Sequence, residues 1–128
     1  DDGGKLSGSA FCGGAIDRGA CAALASCGIA FVLRFIRAAV EGGVELGMKP
    51  GCATEVAALT AGGAAALLAD GAHPEAEIDK VTTPGGSTSK GLNALEANGC
   101  TSAVIAALRA SCVKSADMRF TTVFSFAV

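Results

Sequence analysis

Residues 81–100 read VTTPGGSTSKGLNALEANGC, and the fold class turns on what stands at either end of this stretch. Pro84, Gly85 and Gly86 break regular structure, whereas Ser87, Thr88 and Ser89 are residue types that accept hydrogen bonds from the free backbone N–H groups of a helix start. The spacing predicts a helix over Thr88 to Ala97, closed by Asn98-Gly99, because glycine readily takes the left-handed backbone with which helices commonly end. At the head of that helix, unpaired N–H groups and the positive end of the dipole meet glycine backbone that a ligand can approach closely. Gly85-Gly86-Ser87-Thr88 is therefore a candidate carboxylate cradle, with Thr83, Ser87, Thr88 and Ser89 as additional hydroxyl donors. On this local pattern alone the plainer reading carries more weight: Pro-Gly-Gly as a turn, and Ser87 or Thr88 as an N-cap.

Outward from this stretch the pattern stays helical. Downstream, Val104, Ile105, Leu108, Cys112 and Val113 recur at helical spacing from near Thr101, and Arg109 and Lys114 fall toward the end, where the dipole favours cations. Upstream, GAHPEAEIDKV is a polar connection with a short helix at Pro74 to Lys80, since Pro at a first helical position followed by Glu75 and Glu77 is a start signal. Cys52 to Asp70 reads as a further, nearly all-apolar helix. Its Gly62 and Gly63 each cost about 1 kcal/mol relative to Ala, so a packing reason is expected to hold them there. Lys49-Pro50-Gly51 ends the element before it, Ile29 to Met48, whose polar residues Arg34, Arg37, Glu41 and Glu45 form one narrow stripe with Arg37 and Glu41 paired across a turn. A helix dry on most of its circumference must be enclosed by neighbours, and a chain this short offers few, so contact with another subunit is inferred.

The termini read differently. The first 14 residues are Gly-rich and irregular in expectation, and RFTTVFSFAV at the end has the β-branched and aromatic residues of a strand without an evident partner strand. The expected division is an irregular segment over 1–20, a helical domain over 21–116 and a tail over 117–128.

With 128 residues and a net charge of −2 the chain is one domain of ordinary size without a basic patch, which argues against nucleic acid and against electrostatic docking to anionic lipid. The beginning lacks the basic and apolar regions of a secretory signal. Val56 to Ala69, mostly Ala and Gly, falls short of the roughly 20 residues of a membrane span, so no membrane partner is expected. Six cysteines, at 12, 21, 27, 52, 100 and 112, form no C-x-x-C pair and share one histidine, which is the wrong pattern for a zinc or iron–sulfur site. Cys27, Cys52, Cys100 and Cys112 lie among Ala, Gly and Val, as small buried hydrophobes do; reduced thiols and a cytoplasmic setting are the expectation. His73, before Pro74, is a weak candidate for a general base, because no nucleophile motif accompanies it. Cys27 has no base near it in sequence and reads as structural.

Two longer stretches, ALASCGIAFVLRFIRAAVEGGVELGM at 23–48 and AHPEAEIDKVTTPGGSTSKGLNALEANGCTSAVIAALRAS at 72–111, carry a resemblance. Together they resemble, in order and without large gaps, the C-terminal helical domain of the pyrroline-5-carboxylate reductase family. The resemblance implies an all-α helical bundle that interlocks as a dimer, following a Rossmann domain that binds NADPH or NADH. It implies proline biosynthesis, by hydride transfer to the C=N carbon of 1-pyrroline-5-carboxylate. Carried over, Thr83, Pro84, Gly85, Gly86, Ser87 and Thr88 fall on the substrate-binding turn, and Thr88 matches the catalytic threonine that hydrogen-bonds the ring nitrogen. The family's common Ser-Gly-Ser-Gly-Pro-Ala-Tyr is replaced here by Ala25-Ser26-Cys27-Gly28-Ile29-Ala30-Phe31. These 128 residues also contain no G-x-G-x-x-G after a strand, so the nucleotide domain is not among them. The alternative is an inactive helical dimerisation or binding module that keeps the same fold.

Overall fold

Asp17 opens the first helix: its Oδ1 accepts from the N–H groups of Gly19 at 2.9 Å and Ala20 at 3.2 Å, which satisfies two of the donors left free at a helix start. The structure is a computed structural model and describes residues 17–112. The Gly-rich beginning, the expected C-terminal strand, Cys12, Val113 and Lys114 lie outside the described residues. From Arg18 the chain runs through α1 (Arg18–Ala22), a π-helical turn (Ala23–Cys27) and α2 (Gly28–Glu45) as one 28-residue helix. α3 (Pro50–Ala66), α4 (Pro74–Lys80), α5 (Ser87–Ala97) and α6 (Cys100–Ser111) follow, with no strand among the described residues. The fold is all-α, as the periodicity predicts.

Several boundaries differ from the sequence reading. The first long helix stops at Leu46 rather than Met48, where Gly47 turns the chain with φ of +101°. Pro50 does not end that helix; it is the first residue of α3, where its missing N–H costs nothing. α3 stops at Ala66, and Leu67–Asp70 continue as turn before Gly71, at φ +79°. Arg37 and Glu41 do pair, at 3.1 Å on a well-exposed face.

α2 and α3 form an antiparallel hairpin whose crossing is set by small residues. A Cβ on Gly43 would lie 3.3 Å from Ala53 Cβ and 3.2 Å from Met48 Sδ, so the missing side chain is what lets the two helices close together. Val40 and Ala53 are buried there at 4% and 3% exposure. α6 packs against the π turn, and α5 against α6; Thr101 Oγ1 donates to Glu96 Oε2 at 2.8 Å across that corner.

Beyond these contacts the described residues bury little of one another. Apart from Gly19 and Ala23, no residue of the described helices outside the hairpin is buried. Leu24, Ile29, Val32, Leu33, Phe35, Leu59 and Val104 are all exposed, with Leu59 at 70%. Cys27, Cys52 and Cys112 are likewise exposed, and Cys21 and Cys100 half-buried. The expectation that cysteines are buried is corrected within a single chain: all five described thiols are free, and their apolar surroundings are surface.

One helix is longer than the apolar stretch that the sequence reading measured against a membrane span. Arg18–Glu45 is long enough and apolar enough to cross a membrane by length and composition, with a mean hydropathy of 1.9 over its most apolar window. The reason is that α1, the π turn and the first half of α2 merge into one helix with no charge between Arg18 and Arg34.

Candidate functional site

The loop between α4 and α5 is built by local bonds. The N–H of Gly86 donates to the carbonyl of Thr83 at 2.9 Å, closing a four-residue turn with Pro84 second and Gly85 third. Gly85 has φ +73°, which together with the preceding proline is the type II pattern; a residue with a Cβ would be strained there. Gly86 has ordinary backbone angles and is required for a different reason. A Cβ on it would fall 2.6 Å from Thr83 Oγ1 and 3.0 Å from the Thr83 carbonyl oxygen.

α5 starts directly on this turn. Its N-cap is Gly86 and not Ser87 or Thr88, and no side chain caps the helix. Ser87, Thr88 and Ser89 therefore occupy the first helical turn, one position further in than a cap. Their backbone N–H groups have no acceptor among the described residues, and the hydroxyls of Thr83, Ser87, Thr88 and Ser89 make no hydrogen bond to them either. Thr83, Ser87 and Thr88 are exposed, and Gly86 and Ser89 half-buried. This is a donor set at one exposed helix end: the N–H groups of Ser87, Thr88 and Ser89 beside the hydroxyls of the same residues and of Thr83, on a turn whose Gly85 carries no side chain. Such a set complements a carboxylate by hydrogen bonds to the charged form and by the helix dipole.

On the other side of the turn, Thr82 Oγ1 donates to the carbonyl of Ile78 in the last turn of α4 at 2.6 Å, in partly buried surroundings. The sequence reading passed over Thr82; its signal was a threonine four residues beyond Ile78, the spacing at which a hydroxyl reaches back to a helix carbonyl. α4 itself is stapled by Lys80 on Glu77 at 2.8 Å. His73 caps it, Nδ1 accepting from the N–H of Glu75 at 3.2 Å, so the histidine weighed as a base has a structural task. Cys27 ends the π turn and is exposed. Among the described residues no group of three or more His, Cys, Asp or Glu is placed to hold a metal ion. No Gly-rich strand-to-helix turn occurs among them, so the pyrophosphate of a dinucleotide has no cradle of that kind here.

Known proteins fit this picture. Residues 17–118 match the model of the pyrroline-5-carboxylate reductase dimerisation domain. Over 94 residues the chain is 51% identical to pyrroline-5-carboxylate reductase 2 of Dictyostelium discoideum, covering 73% of this chain and 31% of that protein. Over 94 residues it is 43% identical to the pyrroline-5-carboxylate reductase of Neurospora crassa, covering 73% and 28% respectively. The chain thus spans about a third of the length of these relatives. Among solved structures it resembles Plasmodium falciparum pyrroline carboxylate reductase with NADP bound, with a TM-score of 0.71 and 28% identity over 75% of this chain and 37% of that one. With an all-helical fold, the Pro-Gly-Gly turn at a helix head and a family match over most of its length, the chain belongs to the pyrroline-5-carboxylate reductase family, within its dimerisation domain.

Proposed function

We propose that this chain is the substrate-binding and dimerisation half of a reductase that converts 1-pyrroline-5-carboxylate to L-proline. The observation that carries the reading is the type II turn Thr83–Gly86 feeding the first turn of α5, with its donors unengaged. The carboxylate of the substrate rests on the N–H groups of Ser87, Thr88 and Ser89, with the hydroxyls of Thr83 and Ser87 beside it. Thr88 Oγ1 then reaches the ring nitrogen, where it orients the C=N bond and stands next to the atom that gains a proton. NADPH or NADH supplies the hydride from the nucleotide domain. The protein's share is to hold the imine at close range in one orientation and to exclude water around it, which needs no nucleophile from the chain.

The exposed apolar faces belong to the same reading. Leu24, Ile29, Val32 and Val104 are covered by a second copy, so the helical unit, expected over 21–116 and extended by the structure to its cap at Asp17, acts as a homodimer. The free thiols suit a reducing, cytoplasmic location.

The test is NADPH oxidation driven by 1-pyrroline-5-carboxylate, using the full-length polypeptide that carries this sequence and its Thr88→Ala variant. A fall of at least tenfold in kcat/KM, about 1.4 kcal/mol of transition-state stabilisation, is expected. A second reading, an inactive helical module with the same fold, draws on the segment Ala25–Phe31, where Ser26 and Cys27 lie within a π turn and no Pro interrupts the helix. Binding of NADPH without any turnover would favour it.

A further inference from the structure

We infer that Thr82 is a positioning residue for the substrate turn, acting through its hydroxyl bond to Ile78; the inference rests on the cradle reading above. α4 has no buried residue and no extensive packing against another helix among the described residues. The turn it leads into is therefore located by what links the two directly. That link is a short ladder. Val81 N–H donates to Ile78 O at 3.1 Å, Thr82 N–H to Asp79 O at 3.3 Å, and Thr82 Oγ1 to Ile78 O at 2.6 Å. The two backbone bonds close the last turn of α4, and the second is long; the hydroxyl bond is the shortest of the three and the only one made by a side chain. Thr83, next in the chain, supplies both the carbonyl that closes the type II turn and the oxygen against which Gly86 packs. Thr82 thus sets the direction in which Thr83 leaves α4, and Thr83 sets where Gly86 and the N–H groups of α5 stand. Thr82 itself is half-buried and its hydroxyl is engaged by Ile78. Its effect is to hold donors in place before the ligand arrives, so that their ordering is not paid for on binding.

Thr82→Val tests this, because valine keeps the shape and removes only the hydroxyl. In the full-length polypeptide, kcat/KM for 1-pyrroline-5-carboxylate and the Kd for L-proline by calorimetry are measured for Thr82→Val, Thr82→Ser, Thr88→Ala and Gly86→Ala, with the Tm of each. A fivefold or larger weakening of L-proline binding and of kcat/KM in Thr82→Val, with Tm near that of the parent and recovery in Thr82→Ser, is the expected result. Unchanged binding in Thr82→Val beside a loss in Thr88→Ala overturns the role of Thr82 and leaves the cradle standing. Unchanged L-proline binding in both variants overturns the role of Thr82; if Gly86→Ala, which shifts the backbone donors themselves, leaves binding unchanged as well, the cradle falls with it. A lowered Tm in Thr82→Val with no recovery of binding in Thr82→Ser shows a structural threonine only, and also overturns the inference.

Discussion

A methyl group on Gly86 would meet Thr83 Oγ1 at 2.6 Å and the Thr83 carbonyl oxygen at 3.0 Å. A threonine hydroxyl can rotate away, but the carbonyl belongs to the backbone bond that closes the turn, so Gly86→Ala must shift the turn to fit. We expect Gly86→Ala to weaken L-proline binding at least tenfold in calorimetry, while far-ultraviolet circular dichroism shows the helices intact. At this scale the sequence was informative about residue types and less so about their positions. Pro84 and Gly85 announce a type II turn by themselves, since one presets φ and the other tolerates its positive value. Which residue then caps α5 was misread by one position. Gly86 and Ser87 are both acceptable caps by type, and only the backbone angles decide where helical geometry begins.

Among the elements, the α2–α3 hairpin is the contact that a single substitution can probe best. Gly43→Val would push branched carbons toward Ala53 and Met48, which are already at contact distance from a bare Cβ. Overpacking of this kind costs about 1–3 kcal/mol, so a lower Tm in a thermal melt is the expected outcome. Gly63 offers the opposite case. Nothing lies within 4 Å of a Cβ built on it, so the packing reason expected for Gly62 and Gly63 is not found inside one chain. On helix propensity alone Gly63→Ala would add about 1 kcal/mol of stability. Because α3 is apolar apart from Thr54, Glu55 and Thr60 and is mostly exposed, we expect a helix of the second copy to pass close to it, and Gly63→Ala to lower the Tm of the assembled protein instead. Element existence was legible from periodicity, and the ends were not. The π turn was invisible, because the residues Ala23–Cys27 are compatible with α-helix and only the backbone bonding distinguishes the two, the N–H of Gly28 donating to the carbonyl of Ala23 five residues back.

At the scale of the whole molecule, a groove of about 410 Å³ between the first long helix and α6 is lined by Leu24, Gly28, Ile29, Val32, Val104 and Leu108. The described residues leave this groove open and leave Leu59 and Val56 of α3 exposed as well. The four buried residues among those described make no independent core, so folding and association are expected to be one process, and the Tm to rise with chain concentration. Leu59→Lys is expected to shift sedimentation toward the smaller species with loss of helical signal. An unchanged sedimentation profile, at any concentration tested, would count against a shared core.

Sequence by itself determined that the described residues are helical and that a Pro-Gly turn precedes α5, because those properties depend on spacing and on the backbone preferences of proline and glycine. It also carried the family resemblance, through the order of residues 23–48 and 72–111. Tertiary structure alone decided that Gly43 is a contact point, that Gly86 is fixed by Thr83, that Thr82 ties the turn to α4, and that the apolar helices have almost nothing of their own chain to bury against. Those are distances between residues brought together by the fold, and hydrophobic pattern shows that a face must be covered without showing by what.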